Sequence, residues 1–139
     1  MRVFLDTNVL VSAVATRGLC ADVLREILVS HQLVVSNPLI FELKNILHIK
    51  IGPPQEIISD FVEVLTQDAI LSENTDFVTI DISDKDDILI LLTALNGKAE
   101  LFVTGDKELL ELKKIQSMRI ISPRRFWETL KNQPSDKQS

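Results

Sequence analysis

The chain has 139 residues, 45% hydrophobic and 25% charged, enough for one domain with a buried core. A formal net charge of −5 and an isoelectric point near 5.0 exclude a protein that holds nucleic acid by bulk charge; such chemistry here needs bound cations and a local basic strip. The lone cysteine, Cys20, excludes an internal disulfide and a Cys-based zinc site, and fits a reducing compartment.

Met1-Arg2 leads straight into a buried-looking strand, Val3-Phe4-Leu5, with no signal-peptide pattern. A helix is expected from Asp6-Thr7-Asn8, carrying Val9, Leu10 and Ala13 and broken at Arg17-Gly18. Val23, Leu24, Ile27 and Leu28 fit one face of a second helix. Leu33-Val34-Val35 reads as the second strand, and Ser36-Asn37-Pro38 as a helix start, a cap residue with proline beside it. That helix contains Leu39, Glu42, Leu43, Ile46 and Leu47. Gly52-Pro53-Pro54 punctuates, and Pro54 to Ala69 has an amphipathic pattern through Ile58, Phe61, Val62 and Leu65. Phe77-Val78-Thr79-Ile80 is expected to be the third strand, at an edge. Ser83 to Asp86 caps a helix from Asp87 to Asn96 that is apolar nearly all round, and so buried. Leu101 to Thr104 is the fourth strand, followed by Gly105-Asp106 and a short helix through Leu109, Leu110 and Leu112. Arg119-Ile120-Ile121 is the fifth strand, and Pro123 starts a last helix with Phe126, Trp127 and Leu130.

Strands alternating with helices predict an α/β domain around a mostly parallel sheet. Residues 1–131 form one domain, and 132–139 read as a polar tail. No apolar run reaches the roughly 18 residues that span a bilayer, so the expectation is a soluble cytoplasmic protein with no membrane partner.

In open parallel sheets ligands bind outside the carboxyl ends of the strands. Asp6 follows the first strand, Thr104 and Asp106 end the fourth, Glu42 lies about a turn into the helix after the second, and Asp84, Asp86 and Asp87 lead into the buried helix. Each acid has an ordinary role open to it: Asp6, Asp84 and Asp86 as helix caps, Glu42 as an exposed acid favoured by the helix dipole, Asp106 as a turn residue. Together at strand ends they point to one site. Clustered carboxylates repel, and either share a proton or bind a cation. An all-oxygen set suits Mg²⁺ or Mn²⁺, the ions that position phosphates and activate water. Two such ions, +4 in all, would bring the formal −5 to about −1.

These residues resemble a known family. Val3-Phe4-Leu5-Asp6-Thr7-Asn8 is similar to the first motif of the PIN-domain ribonucleases, Ser36 through Glu42-Leu43 to the second, Asp84 through Leu95 to the third, and Val103-Thr104-Gly105-Asp106 to the fourth; Ile120 to Pro123 with Phe126 resembles the usual ending. Within that family the chain resembles the small VapC-like toxins of toxin–antitoxin pairs. The resemblance runs over essentially the whole chain. It implies a three-layer sandwich whose central sheet of four to five strands is flanked by helices. It also implies metal-dependent RNA hydrolysis, with Asp6, Glu42, Asp87 and Asp106 as the acidic quartet that holds the metal. Thr104 would orient the fourth acid or the water, and Asn8 would support the site. Asp87 is chosen because it abuts the buried helix; Asp84 and Asp86 remain rivals. Ile88 departs from the asparagine common there in relatives.

The implied substrate is single-stranded or looped RNA, and the implied partners are a small antitoxin and a second copy of the chain. Arg17, Lys44, Lys107, Arg124 and Arg125, at expected helix ends, are candidates to hold RNA phosphates. His31 and His48 lie away from the acids and read as ordinary helix residues; Cys20 and Trp127 read as packing. Two other enzyme classes fit poorly. Haloacid-dehalogenase-type phosphatases need a second aspartate where Asn8 stands, and receiver domains need an acidic pair and a lysine that Lys107 matches badly. The remaining alternative is a non-catalytic PIN-like module that binds RNA or protein.

Overall fold

The computed structural model describes residues 1–73 and 79–131. Six strands, β1 (Arg2–Leu5), β2 (Gln32–Ser36), β3 (Ile70–Ser72), β4 (Leu101–Val103), β5 (Lys114–Ile115) and β6 (Met118–Ile121), form one sheet in the order β3-β2-β1-β4-β6-β5. All neighbours are parallel except β5, which returns antiparallel on β6. Among the described residues, seven helices flank the sheet: α1 (Thr7–Ala15), α2 (Leu19–Ser30), α3 (Asn37–Ile46), α4 (Gln55–Thr66), α5 (Lys85–Asn96), α6 (Lys107–Leu112) and α7 (Pro123–Lys131). A wider π-helical turn, Leu47–Ile51, extends α3.

The expected α/β architecture is found, with three differences. Among the described residues the sheet has six strands rather than four to five, because the two-residue β5 is too short to leave a periodic signal. The third strand of the described residues is Ile70–Ser72, ahead of the expected 77–80. Phe77 and Val78 lie outside the described residues, and Thr79 and Ile80 belong to no strand. The expected helix over 54–69 ends at Thr66, so that Ala69 feeds β3 instead. The expected tail, 132–139, lies outside the described residues.

Strand order reverses at β1: β2 and β3 lie on one side, β4 and β6 on the other. In sheets of this kind the switch point is where ligands bind, outside the carboxyl ends of the strands, here β1 and β4. It is locked from below by Phe4 and Phe102, register partners whose rings stack at 5.3 Å and 10°. Such a pair adds about 0.5–1.5 kcal/mol beyond its area burial. Both strands are buried throughout except Arg2, as expected for parallel strands covered on both faces.

The helices are seated by their apolar stripes: Val23, Leu24 and Ile27 on α2, Leu39 and Leu43 on α3, Ile90, Leu91 and Ala94 on α5. A buried polar thread fixes α5. Thr93 Oγ1 donates to Ser36 Oγ at 2.9 Å, and Ser72 Oγ donates to the Thr93 carbonyl. Ser36 Oγ also accepts from Leu39 N at 3.4 Å, capping α3. The helices that carry Glu42 and Asp87 are therefore tied to the same strand end. Gly97 closes α5 against the sheet; a Cβ there would lie 2.5 Å from Val34 Cγ1. Among the described residues no single helix is long and apolar enough to cross a membrane.

Candidate active site

The acids gather at the β1–β4 switch point. Asp6 is the first residue past β1, and its amide donates to the Val103 carbonyl at 2.9 Å. The strand register thus sets Asp6 beside Thr104. Thr104 Oγ1 donates to Asp6 Oδ2 at 2.7 Å and accepts from Asp106 N at 3.0 Å. Asp6 Oδ1 accepts from Thr7 N at 2.8 Å. Both carboxylate oxygens are therefore oriented, and each retains a lone pair for another ligand.

Three aspartates are helix caps. Asp6 caps α1, Asp106 caps α6 through Glu108 N at 2.9 Å, and Asp84 caps α5 through Asp86 N at 2.9 Å and Asp87 N at 3.2 Å. The capping roles and the shared site are compatible: the positive ends of helices are where carboxylates are best tolerated. Asp87, the third residue of α5, has no cap to make and is half-buried.

The electrostatics join five acids from the starts of α1, α5 and α6 and from α3. Burial holds the Asp6 carboxyl above its ordinary range; the bonds from Thr104 and Thr7 oppose this, while the charges of Glu42 and Asp106 add to it. Asp87 is pushed up to about 7, first by burial, then by the charges of Asp84, Asp6, Asp106 and Glu42. Glu42, half-buried on α3, acts on both. Asp86 lies with Glu42 in the lining of a groove between α3 and α5 that includes Phe41 and Leu89.

The donor set is made only of carboxylate oxygens, and two of its members, Asp6 and Asp87, are held above their ordinary range. That chemistry fits a hard divalent ion. Among the described residues, no group of three or more Asp, Glu, His or Cys side chains is placed to hold a metal ion as it stands.

The supporting candidates divide. Thr104 is fully buried at the centre of the acids. Asn8 is exposed on the first turn of α1. Arg17 is exposed in the α1–α2 connection, Lys44 is half-buried on α3, Lys107 opens α6, and Arg124 and Arg125 are exposed on the first turn of α7. The sequence reading passed over Thr7, whose hydroxyl is buried with no hydrogen-bond partner among the described residues. Its place inside Asp6-Thr7-Asn8 was the available signal.

The PIN domain family model matches residues 2–108. No curated protein matches the chain. Among solved structures, the chain is similar to one described as VapBC2 from Rickettsia felis bound to a DNA fragment from their promoter. There the identity is 16% and the TM-score 0.60, over 88% of this chain and 98% of the other. It is similar also to VapBC-1 from nontypeable Haemophilus influenzae, at 17% identity and a TM-score of 0.59, over 89% and 99% of the two chains. At that identity the likeness is one of fold.

Proposed function

The chain belongs to the PIN domain family, and from that premise we propose that it is a metal-dependent endoribonuclease, the toxin of a toxin–antitoxin pair. The observation that supports this reading is the grouping of Asp6, Glu42, Asp87 and Asp106 at one sheet switch point, where burial first and the charges of the neighbouring acids second push Asp87 up to about 7. Asp6, Glu42, Asp87 and Asp106 would hold Mg²⁺ or Mn²⁺, which when bound would neutralise the phosphodiester and lower the pKa of an attacking water. Thr104 fixes the Asp6 carboxylate by its hydrogen bond. Its acceptance from Asp106 N keeps the fourth acid on the same rim.

The VapBC assemblies among the similar structures support an antitoxin as partner, and with it a cytoplasmic setting; a homodimer is the proposed oligomer. The groove beside Glu42, with Phe41 exposed, supports a partner approaching the acids from α3 and α5.

The test is RNA cleavage with Mn²⁺ or Mg²⁺ against EDTA and Asp6→Asn. Loss of cleavage in both controls is expected. Cleavage that persists in Asp6→Asn overturns the mechanism, and a wild-type protein inert with either ion would favour the non-catalytic binding module.

A further inference from the structure

A second cleft, about 1070 Å³ in volume, lies along the far edge of the sheet, between the end of α6, the β5–β6 hairpin and the start of α7. Its charge is opposite to that of the chain. Lys113, Lys114, Arg119, Arg124 and Arg125 line it, against the single acid Glu128, in a protein with 20 Asp and Glu and only 15 Lys and Arg. None of these five cations forms an ion pair among the described residues, where the one salt bridge is Arg25–Asp22. The hairpin also keeps Lys113 and Gln116 at φ 63° and 54°, a region that residues with side chains rarely adopt. Both line the cleft.

The cleft begins one strand away from the acids. Thr104 N donates to the Ile121 carbonyl at 3.0 Å, and β6 then runs through Ser122 into the turn of α7 that carries Arg124 and Arg125. Cations drawn from the residue that ends α6 and from β5, β6 and α7 suit a chain of spaced phosphates better than one compact anion. The lining has no aromatic ring, so there is no platform on which bases would stack.

We propose that this cleft binds the phosphate backbone of a single-stranded RNA, docking the flank of a strand whose phosphodiester sits at the acidic centre. The proposal rests on the ribonuclease reading for the identity of the strand. Recognition through phosphate alone makes binding indifferent to base sequence and steeply dependent on salt.

The test is fluorescence anisotropy of a labelled oligouridylate and a labelled oligoadenylate with the full chain in EDTA, where no cleavage competes. Lys114→Gln/Arg124→Gln is compared with Lys50→Gln/Lys98→Gln, two exposed lysines outside the cleft that change the charge equally. The cleft variant is expected to bind both oligomers about tenfold more weakly and to lower the log–log salt slope by about 1.4, at about 0.7 per phosphate contact for a single strand. The control pair is expected to stay within about twofold of wild type. Glu128→Gln is expected to tighten binding, a gain that misfolding cannot produce. Equal weakening by the two pairs, or preference for a DNA duplex over the single strand, overturns the proposal. Binding in the cleft without cleavage in Mn²⁺ would sink the ribonuclease reading and leave the cleft standing. Unchanged binding and cleavage by the cleft variant would do the reverse.

Discussion

Thr104 and Asp6 lie 98 positions apart and share a 2.7 Å hydrogen bond, hydroxyl to Oδ2. The bond joins the ends of β1 and β4, and the same hydroxyl receives the Asp106 amide. One buried oxygen therefore sets the first and the fourth acid together.

Thr104→Val keeps the shape and removes that oxygen. Asp6 loses its strongest opposing hydrogen bond, so its carboxyl rises further, and the Asp106 amide loses its acceptor. The expected cost is about 1–3 kcal/mol of stability, the penalty for stranding buried polar groups, read by urea denaturation. Manganese affinity by calorimetry should fall about 10–100-fold, the usual effect of losing a ligand's supporting partner. Thr104→Ser should restore most of both.

Asp87 predicts a pH dependence with a definite sign. Its ordinary value is 3.8 and its folded value about 7. The unfolded chain releases this proton first, so the stability it contributes is fully present below 3.8 and declines as pH rises to about 7, staying low beyond that. In EDTA, Asp87→Asn should therefore melt higher than the parent above pH 7.5 and alike near pH 4, a difference thermal scans across that range would reveal. Manganese binding should release a proton at pH 6 but not at pH 8.5, visible by calorimetry in buffers of different ionisation enthalpy. Equal proton release at both would refute the assignment.

Asp84 and Asp87 are separable because only Asp84 makes the cap. Asparagine caps as well as aspartate, whereas alanine costs about 1 kcal/mol. Asp84→Asn should keep stability and retain cleavage within about threefold, since it loses only a neighbouring charge. Asp87→Asn should abolish cleavage. A fluorescence thermal melt beside an RNA-cleavage time course settles which is the ligand; the reverse pattern transfers the role to Asp84.

Gly97→Ala should destabilise. The added Cβ would lie 2.5 Å from Val34 Cγ1 and 2.9 Å from Ser72 Cβ, so α5 must lift off β2 and β3. Overpacking of this kind costs about 1–3 kcal/mol, measurable by urea unfolding. Cleavage should fall with it, since α5 carries Asp87.

Much of this was legible in the residues. Asp6, Thr104 and Asp106 follow short strands whose fully apolar character announces burial, so their place at strand ends could be read directly. Glu42 and Asp87 were placed by the helices around them. Strand β3 was missed because Ile70–Ser72 has only three residues and follows a helical pattern without a break. The more strand-like 77–80 drew the assignment instead. The basic cleft was half seen. Arg124 and Arg125 were noted at a helix start, but Lys113, Lys114 and Arg119 join them only because β5 folds back on β6, a pairing too short for periodicity to disclose. The rivalry among Asp84, Asp86 and Asp87 was not legible in the residues, because which acid caps the helix is a matter of hydrogen bonds: Asp84 Oδ1 accepts from the Asp86 and Asp87 amides.

The switch point also has a consequence in time. Because β4 inserts beside β1, the strand that supplies Thr104 and Asp106 emerges from synthesis about a hundred residues after the strand that supplies Asp6. A growing chain that already holds β1, β2 and α3 presents Asp6 and Glu42 without their counterparts. Only when the β1–β4 pair closes does the site have both sides. A protein that cuts RNA from this site would be harmless to its own message until its last third is made.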